Sequence, residues 1–267
     1  MSSDEPIFFL PGEDPAFLEA AKRAQESFRY FWREVAWEQR RIIPGLGVAA
    51  VKAPFVDPPG TPTGGLFGRL TGKKTAEASA AEQMWVSELT FDGRTLTGVL
   101  LNSPSWLKSV RRGQAVEFPR ERITDWMYTL DGKAYGGFTV DVIRAQMPAE
   151  ERAGHDAAWG LDFGEVGTID LTPEWGAADP DVEHPMSENM APKLREALEP
   201  DPARFLQPGP KGMNLLHEMA LAGSMASVEL LLEFGADPHL RNEAGLDAIQ
   251  LAESMGWARV AARLRAA

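Results

Sequence analysis

Between residues 14 and 45 the apolar positions fall on one stripe. Phe17, Leu18, Ala21, Ala24, Phe28, Phe31, Trp32 and Val35 recur every three or four residues, the period of a helix face. Asp14 stands where it would cap that helix, and Pro15 where its missing N–H is harmless. Pro44-Gly45 ends the pattern. So aromatic a stripe is expected to lie across a sheet. Downstream come six short β-like runs, at 46–52, 85–91, 95–102, 115–118, 123–130 and 134–142. Asp92-Gly93 and Asp131-Gly132 separate two pairs of them and predict two-residue hairpin turns with positive φ. The class is α+β: an N-terminal helix packed on an antiparallel sheet or half-open barrel of about six strands.

From Gly212 the pattern repeats at a spacing of 33. Gly212 pairs with Gly245, Leu216 with Ile249, His217 with Gln250, and Gly223 with Gly256. This is the period of ankyrin units, and "GMNLLHEMALAG" followed by "LLLEFGADP" resembles the ankyrin signature. The resemblance implies a short all-α solenoid at about 190–267, with His217 structural. Asn214 and Leu215 replace the usual Thr-Pro, which predicts a looser first turn. "KLREALEPDP" at 193–202 echoes the end of a unit, so the count is about two and a half. Roughly three units are needed before such a stack is stable. Arg259, Arg263 and Arg265 cap its C-terminal end, whereas nothing polar covers the other. That end is expected to pack on the preceding domain, forming one rigid body. The resemblance also implies partner binding through the turn tip at 237–243, where His239, Arg241, Asn242 and Glu243 are the outward residues. So small a tip falls below the roughly 800 Å² per partner of an ordinary interface. A partner is therefore expected to touch the first domain too.

A second resemblance is carried by "VKAPF" (51–55), "EQMWV" (82–86), "LTGVLLNSP" (96–104), "RGQAVEF" (112–118), "ITDWMY" (123–128) and "GGFT" (136–139). Over about 14–145 the chain resembles the bacterial YegJ-like family, domain of unknown function 2314. Gln83 stands where that family's pattern has histidine. The resemblance implies a shape and little chemistry. The expected division is 1–150 for this domain, 151–189 for an acidic extension that tucks its aromatics onto it, and 190–267 for the ankyrin units.

Charge narrows the choice of partner. The net charge is −12, and residues 145–203 alone carry −11, with fourteen acids against Arg152, Lys193 and Arg195. Nucleic acid and anionic membranes call for clustered Lys and Arg, so neither is expected as a partner. No run approaches the length of a membrane span or of a secretory leader. The absence of cysteine excludes disulfides, thiolate zinc sites and a cysteine nucleophile. A cytoplasmic location is the simplest expectation.

Candidate chemistry is sparse. "GRLTGKKT" at 68–75, inside a Gly/Pro-rich loop spanning 54–83, has three residues between its glycines where a phosphate loop needs four. Lys74 also stands where the magnesium-binding hydroxyl belongs. None of the four histidines has a second at metal-ligand spacing, so no metal or cofactor is expected. In "ITDWMY", Asp125 and Trp126 point to opposite faces of a strand. With Trp126 inward, Asp125 is exposed, caps a neighbouring turn, or faces a ligand near Gly136-Gly137. The sequence thus predicts a non-enzymatic binding protein with a basic protein partner. Its partner-binding residues would be His239, Arg241, Asn242, Glu243, Asp125 and Trp126. In its most concrete version it is an adaptor or toxin-neutralising immunity partner. The competing reading is a small hydrolase with a carboxylate site near Asp125.

Overall fold

The computed structural model describes residues 14–59 and 81–267; the motif at 68–75 lies outside them. Helix α1 (Pro15–Glu38) begins where expected, with the Asp14 carboxylate accepting the Ala16 N–H at 2.9 Å. Its aromatic stripe is buried against one face of a sheet. The Phe28 ring meets Phe91 edge-on at 5.6 Å, and Phe31 meets Trp126 at 5.7 Å.

The sheet is open and antiparallel, with order β4-β3-β2-β1-β5-β6. Its strands are β1 (Leu46–Phe55), β2 (Glu82–Phe91), β3 (Thr95–Leu100), β4 (Ala115–Pro119), β5 (Asp125–Leu130) and β6 (Lys133–Gly136). Val51, at the centre of β1, lies opposite Val86 on one side and Trp126 on the other. Alternation along β1 therefore sends Val51, Ala53 and Phe55 into the core.

The two hairpins differ. At Asp131-Gly132 both residues have positive φ, and Leu130 lies opposite Lys133, as the sequence predicts. At Asp92-Gly93 only Gly93 does (φ +98°). There the Asp92 carboxylate accepts the N–H groups of Arg94 and Thr95, an Asx turn in a longer loop.

The sixth strand is shorter than the expected 134–142. It ends at Gly136, and α2 (Phe138–Gln146) follows. Gly136 and Gly137 both have positive φ, +77° and +75°, which reverses the chain between strand and helix. A β-carbon on Gly136 would overlap the Trp126 carbonyl and ring. The glycine pair thus serves a close internal approach.

The acidic extension contains one further helix, α3 (Ala149–Trp159), which its weak apolar pattern does not announce. Then come α4 (Pro185–Leu198), α5 (Pro202–Leu206), α6 (Leu215–Ala222), α7 (Met225–Glu233), α8 (Ala248–Ser254) and α9 (Ala258–Arg265). Helices α6/α7 and α8/α9 are the two units read from the spacing of 33. Each inner helix starts with a capping box: Asn214 with His217 in α6, and Asp247 with Gln250 in α8. The first turn is therefore closed by Asn214 where a looser one was expected. Trp257 locks the units together. Its indole N–H donates to the Leu221 carbonyl at 3.0 Å, and its ring lies where a β-carbon on Gly223 would stand, 2.6 Å away.

The exposed end of the stack is covered from two sides. Helix α4 packs on α7, and α1 packs on α6. One apolar core runs without a break from Ala20 through the sheet to Leu264.

Candidate partner-binding site

Asp125 and Trp126 lie at the end of the sheet next to α2, and both are fully buried. Trp126 is core, its indole N–H donating to the Ala24 carbonyl at 2.9 Å. The Asp125 carboxylate takes the backbone N–H groups of Trp126, Phe138 and Thr139 at 2.8–2.9 Å, and the Thr139 hydroxyl at 2.5 Å. It therefore caps α2, the neighbouring-turn alternative left open by the sequence. Burial pushes its pKa up, while the nearby Lys52 charge and these donors pull it down. Lys52, opposite Asp125 in the ladder, is also buried. Its ammonium donates to the Thr139 hydroxyl at 2.7 Å and lies 4.6 Å from the centre of the Trp85 ring. Every oxygen of Asp125 is engaged within the protein. Neither Asp125 nor Trp126 presents an atom to a partner here.

The tip residues divide. His239, Arg241 and Glu243 are exposed, whereas Asn242 is buried. The Asn242 side chain accepts the Leu246 N–H at 2.9 Å and donates to the Asp92 carbonyl at 2.8 Å. This is the contact that sequence periodicity could not show, because it joins the ankyrin tip to the β2–β3 hairpin. Around it, Gly93 packs on Leu246 and Leu251 so closely that a β-carbon would overlap Leu251. Lys211 reaches Asp92 at 3.4 Å and Glu117 at 3.6 Å. The Arg120 guanidinium donates to the Ser254 carbonyl at 2.7 Å. On the α1 side, Arg29 donates to the Gly256 carbonyl at 3.0 Å, Tyr30 meets Trp257 edge-on, and Arg40 pairs with Glu218. The face formed by α6 and α8 is thus occupied by the chain's own sheet and first helix, together with Asn242 of the tip.

The extension is also tied in. Arg33, 1% exposed, donates to the carbonyls of Pro180 and Val182 and lies 4.6 Å from the Trp175 ring centre. His184 is buried between Trp37 and Trp175, with Nε2 3.3 Å from Glu34, and its Nδ1 accepts the Met186 N–H to cap α4. Some acids of the stretch are neutralised: Asp156 by Arg144, Asp170 by Lys133 and Asp181 by Arg29. Glu150, Glu151, Glu165, Glu174 and Asp179 stay exposed. Among the described residues no group of three or more His, Asp or Glu is placed to hold a metal ion, and no helix is long and apolar enough to cross a membrane.

Comparison with known proteins agrees with this architecture. A putative ankyrin repeat protein of Neisseria meningitidis serogroup B is 37% identical over 262 residues, covering 98% of this chain and 97% of that protein. The uncharacterized protein YegJ of Escherichia coli K12 is 37% identical over 70 residues, 26% of this chain and 46% of its own length. Human protein phosphatase 1 regulatory subunit 27 is 42% identical over 52 residues, 20% of this chain and 34% of that protein. Residues 14–163 match the family model described as an uncharacterized protein conserved in bacteria, DUF2314. On the evidence of that match and of the full-length relative, the chain belongs to the YegJ-like DUF2314 family and joins its domain to ankyrin-like repeats.

Proposed function

We propose that the protein is a non-enzymatic adaptor of the bacterial cytoplasm. In its most concrete form it neutralises a toxin by binding it. The observation that carries this reading is the division of the ankyrin tip. Asn242 is spent on an internal contact, while His239, Arg241 and Glu243 project to solvent beside the hairpin that Asn242 holds. The composite face, made of repeat tip and sheet domain, supplies the area that two and a half units lack. The exposed acids of the extension supply a field that attracts a basic partner. The names of two relatives support a protein partner: one is a putative ankyrin repeat protein, the other a phosphatase regulatory subunit. The engagement of all Asp125 oxygens speaks against the hydrolase alternative.

The test is capture of the partner on the full-length protein from its native cytoplasm, identification by mass spectrometry, and titration of the purified pair. Binding is expected to weaken severalfold between 50 and 300 mM salt, since exposed charges are screened over about 8–10 Å. It is also expected to weaken on the double change Arg241→Ala, Glu243→Ala. Affinity that ignores both would contradict the reading.

A further inference from the structure

Helices α4 and α7 lie side by side and run in the same direction. At their N-terminal ends the Ser187 and Ser224 hydroxyls share a hydrogen bond, and the Glu183 carboxylate accepts the Ala226 N–H at 2.8 Å. At their C-terminal ends the Arg195 guanidinium holds both oxygens of Glu233, at 2.7 and 2.5 Å. Between these two clasps lies an open groove of about 510 Å³. Each wall is a single helix face, because its positions recur at i, i+3, i+4 and i+7: 188, 191, 192 and 195 on α4, and 226, 229, 230 and 233 on α7.

The apolar part of the lining is low. Ala191, Pro192 and Ala226 are short side chains, and Leu230 is buried. Pro192 has no N–H, so the Glu188 carbonyl one turn earlier lacks its helical donor at the edge of the groove. Charge decides what fits here. Arg195 and Glu233 neutralise each other. Glu188 and Glu229, one on each wall, are exposed, and neither carboxylate has a partner among the described residues. No unpaired base lines the groove. It therefore presents two unanswered acids on either side of a shallow apolar floor.

We propose that this groove docks an amphipathic helix of the partner protein, one whose apolar stripe is flanked on both sides by Lys or Arg. The stripe packs on the short side chains of the floor as a third helix, and the flanking cations reach Glu188 and Glu229. Recognition of a helix in a groove has this form. The inference rests on the reading that the partner is a basic protein. It adds a contact separate from the ankyrin tip, since none of His239, Arg241 and Glu243 lines the groove.

The probe is a fluorescently labelled peptide, acetyl-LKAKLAALKAKLAA-amide, whose Leu stripe runs between two rows of Lys. It is titrated by anisotropy against the full-length protein, beside a counterpart with Glu for every Lys. The Lys peptide should bind saturably and the Glu peptide should not. Glu188→Gln with Glu229→Gln should weaken the Lys peptide about fivefold, the worth of two exposed ion pairs. Glu150→Gln with Glu151→Gln removes the same charge from exposed acids outside the groove, and should leave the affinity unchanged. Ala191→Phe, which fills the groove and spares its charge, should abolish binding. Should Ala191→Phe fail to fold, the contrast between the two double changes decides. Equal weakening by those two changes, or no saturable binding, would overturn the proposal and leave only the general pull of an acidic protein on cations. Arg241→Ala with Glu243→Ala should not affect the peptide. A captured partner that responds to this tip change and ignores the groove changes would remove the groove and keep the adaptor reading.

Discussion

The side-chain amide of Asn242 donates to the backbone carbonyl of Asp92 across 150 positions of sequence. One hydrogen bond thus joins the ankyrin tip to a hairpin of the sheet domain. The same side chain closes its own turn by accepting the Leu246 N–H. Asn242→Asp keeps that acceptor and loses the donor, so it removes the inter-domain bond together with the amide's weaker contact to the Met213 sulfur at 3.2 Å. It should destabilise the full-length protein by about 1–3 kcal/mol, because the buried Asp92 carbonyl is left facing a carboxylate. Urea unfolding followed by tryptophan fluorescence measures this.

Gly93 is the second half of that contact. Any side chain there meets Leu251 and is strained at φ +98°. Gly93→Val should lower stability by about 3 kcal/mol or more, by overpacking plus backbone strain. Gly132→Val, at the other hairpin, has positive φ but open space around it, so it should cost only the backbone share. Thermal unfolding of the two variants side by side separates the terms.

His217 makes stability depend on pH. Burial holds its pKa below the ordinary histidine value, against a smaller upward pull from the Leu240 carbonyl. The unfolded chain therefore binds a proton more readily than the folded one. Stability is full above the ordinary value, about 6.5, and falls as pH drops below it, by at most about 1.4 kcal/mol per unit for one proton. Gln250 fills the same capping position one repeat later. His217→Gln should therefore keep the helix start and remove this slope, which chemical denaturation between pH 7 and 5 would reveal.

Asp125→Asn keeps the shape of the α2 cap but removes the charge facing Lys52. A structural cap predicts a loss of about 1–3 kcal/mol with partner affinity unchanged. A drop in affinity at unchanged stability would restore a ligand-facing role for Asp125.

What the sequence disclosed follows from what a local pattern can carry. The stripe of α1, the turn at Asp131-Gly132 and the spacing of 33 are short-range signals, and all three appear in the structure. The misread stretch after Gly136 has a local cause as well, since Val140 and Val142 suit a strand as readily as a helix. What stopped the strand was two residues held at positive φ and a cap supplied by Asp125, distant in sequence from the helix it starts. Periodicity likewise says which face of a repeat is apolar without saying what covers it. Asn242 therefore reads as an outward tip residue until Asp92 is placed beside it.

The account rests on the claim that α6–α9 hold together because α1, α4 and the β2–β3 hairpin cover them. The most direct measurement is the thermal unfolding of residues 190–267 expressed alone. The account predicts no cooperative transition and an associating or molten species. A monomer that melts in one sharp step would contradict it.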